Sequence, residues 1–306
     1  MDCLFCSYSR KVERKRDEAD LTEIERLIHI LALYVKKYNR KILVSWIGGE
    51  PFLYPHIFPL SKLCKSGGIY TSTTTNGILL GGEEMCKKVI DSFSEIVFSI
   101  DGFAKCHDRI RSMEGAFKKT TQALARLCSE KNKLGSELIV KVNTILLREN
   151  IGDFPAFCRY LAELGVNELT FNQLGGFDRP EFYESNRLLE NQVELFKEQL
   201  PLVKKECAGL SIHGSDSYME RITASARDQK LPLEECSPGR WFWFINENQF
   251  ISPCSYTTYE YMHPTSFIQN PDDIDKTEQI LREMRNASRS RWCDDCHCTQ
   301  MHSKFD

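Results

Sequence analysis

From about residue 20 the chain alternates between two hydrophobic periods. Thr22-x-x-Glu25 has the form of a helix capping box, and Ile24, Leu27, Ile28, Leu31 and Val35 follow at helical spacing. Residues 41–46 (KILVSW) then read as a short buried strand. The pair recurs along the chain. Helical patterns over residues 55–65, 83–92, 115–131, 154–164 and 191–206 are each followed by a strand pattern, at 69–74 (IYTSTT), 95–100 (EIVFSI), 138–145 (LIVKVNTI), 168–172 (ELTFN) and 210–213 (LSIH). Strands separated by helical crossovers run parallel, which leaves a barrel or a doubly wound sheet.

In either architecture ligands collect at the carboxyl ends of the strands, where the strand-to-helix loops converge. The polar, turn-forming sequences fall at those places. Gly48-Gly49-Glu50-Pro51 follows the first strand, Asn76-Gly77 the second and Asp101-Gly102 the third, and Asn143-Thr144 closes the fourth. The alternation stops near residue 214. Beyond it come Cys236-Ser237-Pro238-Gly239, an aromatic stretch at 241–244, a turn at Asn246-Glu247-Asn248 and a second strand over 250–254, a small hairpin flanked by Cys236 and Cys254. A helix over 273–286 leads into Trp292-Cys293-Asp294-Asp295-Cys296-His297-Cys298. These patterns divide the chain into residues 1–214 and a smaller unit, 215–306.

Composition narrows the class. At 42% hydrophobic, the 306 residues can bury a sizeable core. The formal net charge of −3 gives nucleic-acid binding no electrostatic support. No apolar run approaches the roughly 20 residues that span a bilayer, and the N-terminus lacks the apolar segment of a signal peptide. A cytoplasmic location is expected, with neither nucleic acid nor membrane as partner. The unusual number is 13 cysteines, an odd count in a chain read as cytoplasmic, where disulfides are rare. Cys64, Cys86, Cys106, Cys128, Cys158 and Cys207 stand singly and suit buried hydrophobes. The clustered ones at the two ends suit metal ligands.

Alone, Cys3-Leu4-Phe5-Cys6 could equally be half a zinc site or a redox pair, and glycine with proline punctuates many loops. The ordered set is more specific. Cys3-x-x-Cys6 is followed by Trp46-Ile47-Gly48-Gly49-Glu50-Pro51, Thr74-Thr75-Asn76-Gly77 and Ser99-Ile100-Asp101-Gly102. Then come Cys106-His107-Asp108, Arg111, Gly115-Ala116-Phe117, Asn143-Thr144 and Asn150. This series resembles the radical S-adenosylmethionine (SAM) superfamily, most of all the branch with SPASM or Twitch auxiliary domains.

The resemblance implies a partial (β/α) barrel with a small C-terminal domain for an auxiliary iron–sulfur cluster. It implies that Cys3 and Cys6 ligate a [4Fe–4S] cluster whose open iron receives the amino and carboxylate groups of SAM, and that reductive cleavage gives a 5′-deoxyadenosyl radical. Gly48, Gly49, Glu50 and Pro51 would lie along the methionine end, where a backbone without Cβ can approach closely. Phe5 would pack near the adenine. Asn76, Ser99, Asp101 and Asn143 would supply polar partners to the cofactor at the strand ends, and Arg111 is a candidate for its carboxylate. A second, auxiliary [4Fe–4S] cluster would use Cys236, Cys254, Cys293 and Cys296, with Cys298 as the spare thiol; a zinc knuckle is the alternative there. Only eight residues follow Cys298 and none is cysteine, so a further cluster is not expected.

The family pattern C-x3-C-x2-C would put its first cysteine two residues before Met1. The natural protein is therefore expected to begin upstream, with a further strand beside residues 41–46; a truncated relative is the other possibility. Hydrogen abstraction in peptide or protein maturation is the expected reaction, with a flavodoxin or ferredoxin as electron donor. The alternatives are dehydrogenation of a small molecule, or a degenerate iron–sulfur or zinc protein without catalysis.

Overall fold

Six parallel strands organise the first two thirds of the chain in the computed structural model, which describes residues 3–6, 18–174, 181–232, 239 and 242–296. In chain order the elements are α1 (Leu21–Tyr38), β1 (Leu43–Trp46), α2 (Ile57–Ser66), β2 (Tyr70–Thr75), α3 (Glu83–Ser92), β3 (Glu95–Ser99), α4 (Ala104–Ile110), α5 (Ala116–Lys133) and β4 (Ile139–Leu146). They continue with α6 (Phe154–Glu163), β5 (Glu168–Gln173), α7 (Tyr183–Asn186), α8 (Glu190–Glu206), β6 (Ser211–Ile212) and α9 (Asp216–Ala226). A smaller unit follows, with β7 (Phe244–Ile245), β8 (Phe250–Ser252), β9 (His263–Pro264) and α10 (Asp272–Ala287).

The spatial order β1-β2-β3-β4-β5-β6 is the sequence order. A doubly wound sheet reverses direction partway, so this order decides for the partial (β/α) barrel. Alternation within each strand separates its two faces. Ile96 and Phe98 of β3, Val140 and Val142 of β4 and Leu169 and Phe171 of β5 are fully buried against Leu124, Leu127, Phe154, Phe157 and Phe196 from the helices. The opposite, concave face carries Ser45, Ser72, Thr74, Glu95, Ser99, Lys141, Asn143, Glu168 and Asn172, aligned across the sheet by register. There Lys141 Nζ reaches Glu95 Oε2 at 2.5 Å and Glu168 Oε2 at 3.2 Å, and His213 Nε2 lies 3.2 Å from the same Glu168 oxygen.

Three expectations need correction. Asn143-Thr144 does not close the fourth strand: β4 runs on to Leu146, because the apolar alternation continues through that fully buried leucine. Asn143 therefore sits inside the strand. Helix α4, at seven residues, is too short to display a period in the sequence. Helix α9 was missed as well; it follows residue 214 and buries Tyr218, Met219, Ile222 and Ala226 in the barrel core. Core membership thus extends beyond 214. The smaller unit is the three-stranded antiparallel sheet β7-β8-β9 with α10, whose Ile251, Ile268, Ile274 and Leu281 pack onto Leu27, Ile30 and Tyr34 of α1.

Candidate functional site

The loops at the carboxyl ends of β1, β2 and β3 are tied together by buried polar groups, and Glu50 makes the first knot. Its carboxylate accepts from Thr75 Oγ1 at 2.7 Å and from the backbone N–H of Asn76 at 2.9 Å and Phe52 at 3.3 Å. The last bond caps the short helical turn Pro51–Leu53, where Pro51 occupies the first position. Asn76 Oδ1 accepts from the N–H of Ile78, and its carbonyl accepts from Thr120 on α5. Gly48 and Gly49 are exposed on the same rim. Gly48 holds φ +151° with open space where a Cβ would stand. Gly48, Gly49 and Glu50 therefore share one rim, with Glu50 engaged in fastening loops.

Asp101 makes the second knot. It is fully buried after β3 and receives a 2.7 Å hydrogen bond from Arg111 Nε and a 2.9 Å bond from the N–H of Ile145 on β4. Its own N–H donates to His107 Nδ1. Asn150 Nδ2 bonds the Ile145 carbonyl at 2.8 Å. Asp108 accepts from the N–H groups of Gly115 and Phe117, both at 2.7 Å, and so caps α5. Burial opposes the charge on Arg111, yet the Asp101 carboxylate and the Cys3 sulfur hold its pKa above the ordinary value. Burial drives the His107 imidazole down from 6.5 to about 4, so the ring is neutral at physiological pH.

The Cys3–Cys6 turn docks on this second knot. The N–H of Cys6 donates to the Cys3 carbonyl, and the N–H of Leu4 donates to the carbonyl of Ile110 at the end of α4, both at 3.0 Å. Arg111 Nη1 lies 3.6 Å from Cys3 Sγ, and its guanidinium carbon sits 5.1 Å from the centre of the Phe5 ring. Phe5 packs against Cys106, Ile110, Leu147, Leu174 and Tyr183. Ser99, the last residue of β3, pairs with Asn143 through the sheet, and its hydroxyl has no hydrogen-bond partner among the described residues. Asn143 Oδ1 accepts from Thr170 Oγ1 at 3.0 Å and Asn172 Nδ2 at 2.7 Å.

The second cysteine group lies at the other end of the chain. Cys254 follows β8 and Cys293 lies in the helical turn Arg291–Asp295; their thiols are close enough to influence one another electrostatically. Burial raises the Cys293 pKa against the opposing field of Arg285 and Arg289. Cys296 follows, and its carbonyl accepts a 3.0 Å bond from Arg221 of α9. Cys236 and Cys298 lie outside the described residues. Sequence reasoning overlooked Arg221, although its signal was available: an arginine set between Tyr218, Met219 and Ile222 on the apolar face of a helix. The charged row Glu95, Lys141, Glu168 and His213 was also missed, its signal being charges at period-two positions within strands.

Cys3 and Cys6, half-buried in one turn beside a buried cation, fit two corners of a thiolate-bound cluster. Among the described residues no three Cys, His, Asp or Glu side chains converge on one point. At the C-terminal site the Cys254 and Cys293 thiols lie near one another, and Arg221 Nε is buried with no hydrogen-bond partner among the described residues. Among the described residues no helix is long and apolar enough to cross a membrane.

Comparison with known proteins agrees with this geometry. The family model of the radical SAM superfamily matches residues 1–179. A heme synthase dependent on S-adenosylmethionine, from Methanosarcina barkeri, is 26% identical over 84% of this chain and 73% of its own length. A PqqA peptide cyclase from Gluconobacter oxydans is 24% identical over 62% of this chain and 54% of that protein. The crystal structure of Streptococcus suis SuiB bound to its precursor peptide SuiA superposes with a TM-score of 0.65 at 14% identity, covering 94% of this chain and 64% of SuiB. The chain thus spans less than two thirds of the latter two proteins. Its parallel partial barrel, its Cys3–Cys6 turn at the strand ends and a family match over more than half its length agree: the chain belongs to the radical SAM superfamily, whose enzymes use a [4Fe–4S] cluster and S-adenosylmethionine.

Proposed function

We propose that this chain is a radical SAM enzyme of the SPASM/Twitch branch that abstracts hydrogen from a peptide or protein substrate during its maturation. The observation that carries the reading is the fastening of the Cys3–Cys6 turn, through Leu4 and Arg111, to the strand-end rim that also bears Gly48, Gly49, Glu50 and Asn76. When bound, the cluster and SAM supply the radical that removes the hydrogen atom. Cys3 and Cys6 would hold two irons. The exposed backbone of Gly48 and Gly49 would accept from the methionine ammonium, while Ser99 and Asn143 offer polar atoms to the rest of the cofactor. Glu50, Pro51 and Asn76 keep the rim in shape, and Asp101 acts through Arg111. The C-terminal thiols would hold an auxiliary cluster.

Relatives of both substrate kinds exist, a heme synthase and peptide cyclases. The concave face favours the peptide. The hydroxyls and amides of Ser99, Asn143, Thr170 and Asn172 suit a hydrogen-bonding chain better than the broad apolar face of a tetrapyrrole. The reducing cytoplasm, with a flavodoxin or ferredoxin as donor, suits such thiol chemistry. The test is anaerobic reconstitution of the chain with iron and sulfide, followed by assay for 5′-deoxyadenosine after addition of SAM and dithionite. Bound iron and sulfide with SAM cleavage is the expected result. Stoichiometric zinc without iron would overturn the reading.

A further inference from the structure

Lys141 is a cation inside the barrel that the rim chemistry leaves unused. It lies on the concave face of β4 with 14% of its side chain exposed. Its Nζ reaches Glu95 Oε2 on β3 at 2.5 Å and Glu168 Oε2 on β5 at 3.2 Å, so one ammonium stands between carboxylates from the two flanking strands. The same Glu168 oxygen lies 3.2 Å from Nε2 of His213, just past β6. The contacts therefore run across four adjacent strands. Burial opposes the charge on Lys141, yet the two carboxylates hold its pKa above the ordinary value.

The pairing register sets what this arrangement can reach. Val97 pairs with Lys141 and Ser99 with Asn143, so the Ser99–Asn143 pair stands two residues nearer the carboxyl ends, roughly 7 Å along the strands. Lys141 pairs with Glu168 and Asn143 with Thr170 in the same manner. Asn143 is also tied to β5 directly, through the Thr170 hydroxyl and the Asn172 amide. On the β3 side, the tie across this face runs from Glu95 to Lys141. Two carboxylate oxygens that share one ammonium lie close enough to repel each other strongly in a half-buried setting, and the cation between them cancels that force. Without it β3 and β5 would be pushed away from β4, and Ser99 would leave its place opposite Asn143.

We propose that Lys141 is a positioning residue of the cofactor site, which cancels Glu95 and Glu168 and so fixes the spacing of β3, β4 and β5 beneath the Ser99–Asn143 pair. The inference rests on the reading of Ser99 and Asn143 as partners of SAM, and the test separates the two. Reconstituted wild-type protein, K141M and the neutral triple variant E95Q/K141M/E168Q are compared for SAM affinity by equilibrium dialysis with labelled SAM. Urea titration first establishes that each is folded. Methionine keeps most of the length of the lysine side chain and removes its charge, which leaves the two carboxylates opposed. The expected result is a SAM dissociation constant raised about fivefold in K141M and returned towards the wild-type value in the triple variant. Two further substitutions would not repair a general loss of stability, so the recovery reads charge balance. K141M at the wild-type affinity would overturn the proposal, and so would a folded triple variant that binds no better than K141M. Should K141M fail to fold, the triple variant decides: wild-type affinity supports the role, and weakened affinity overturns it. If wild-type protein carrying its cluster binds no SAM, the reading of the site itself fails and the proposal falls with it.

Discussion

Asp101 and Arg111 form a buried pair, and its two members are not equivalent in what their loss does. Removing the carboxylate strands a guanidinium that is 8% exposed, and breaking such a pair costs about 3–5 kcal/mol. Asp101→Ala should therefore lower the unfolding free energy by that order in urea titration. The Asp101→Ala/Arg111→Met double variant should lose less than the sum of its single variants, and additivity would disprove the coupling. His107 gives a pH prediction. Its folded pKa is depressed from 6.5 to about 4, so between those values the unfolded chain binds a proton that the folded one refuses. Its contribution is complete above pH 6.5 and is lost as pH falls to about 4, roughly 3 kcal/mol in all. His107→Asn, which keeps an acceptor for the Asp101 N–H, should show a shallower stability slope across that window; an unchanged slope would refute the assignment. The sequence marked these residues through their motif, whereas their partners arise only when β3, β4 and α4 close around them. The motif therefore pointed to the site without saying that Asp101, His107 and Asp108 are spent on holding it.

At the scale of elements, the two alternating periods were enough to place the strands and the long helices to within a few residues, because each buries one face against the same core. They failed where an element is short, as in α4, or where a helix is buried nearly all round. In α9 every residue from Arg221 to Ala226 is buried, so no polar stripe marks a period. The junction between β2 and α3 carries a sharper constraint. Gly77 has φ +78°, and a Cβ there would stand 2.8 Å from the buried ring of Phe98 and 3.0 Å from Thr120. Both the left-handed backbone and the fully buried neighbour resist a side chain. Gly77→Ala should cost at least about 2 kcal/mol by thermal or urea unfolding. Gly48→Ala, which meets open space, should cost less and act on SAM affinity. Equal destabilisation by the two substitutions would count against this account.

Across the whole molecule, helix α1 belongs to two cores at once. Ile28 packs with Leu60, Cys64 and Ile69 of the barrel, while Leu27, Ile30 and Tyr34 pack with the smaller unit. Polar ties reinforce the second face: Arg26 bonds the Thr265 and Ile268 carbonyls, Tyr34 bonds Asp275, and Lys37 pairs with Asp272. The sequence showed an apolar helix there but could not say that its stripe serves two neighbours, since periodicity records burial and not the identity of what buries it. The metal stoichiometry also belongs to this scale. Cys254→Ala should lower iron per chain, whereas Cys298→Ala should leave it nearly unchanged, and the reverse would reassign the ligand set. The doubly used helix has a kinetic consequence as well. Electron tunnelling falls off exponentially with separation, and a brace shared by both halves fixes the gap between the N-terminal thiols and the C-terminal ones when the chain folds. A swing of one half against the other would tear open both cores, so the separation of the two thiol-bearing ends is set by the fold and not by motion between the halves.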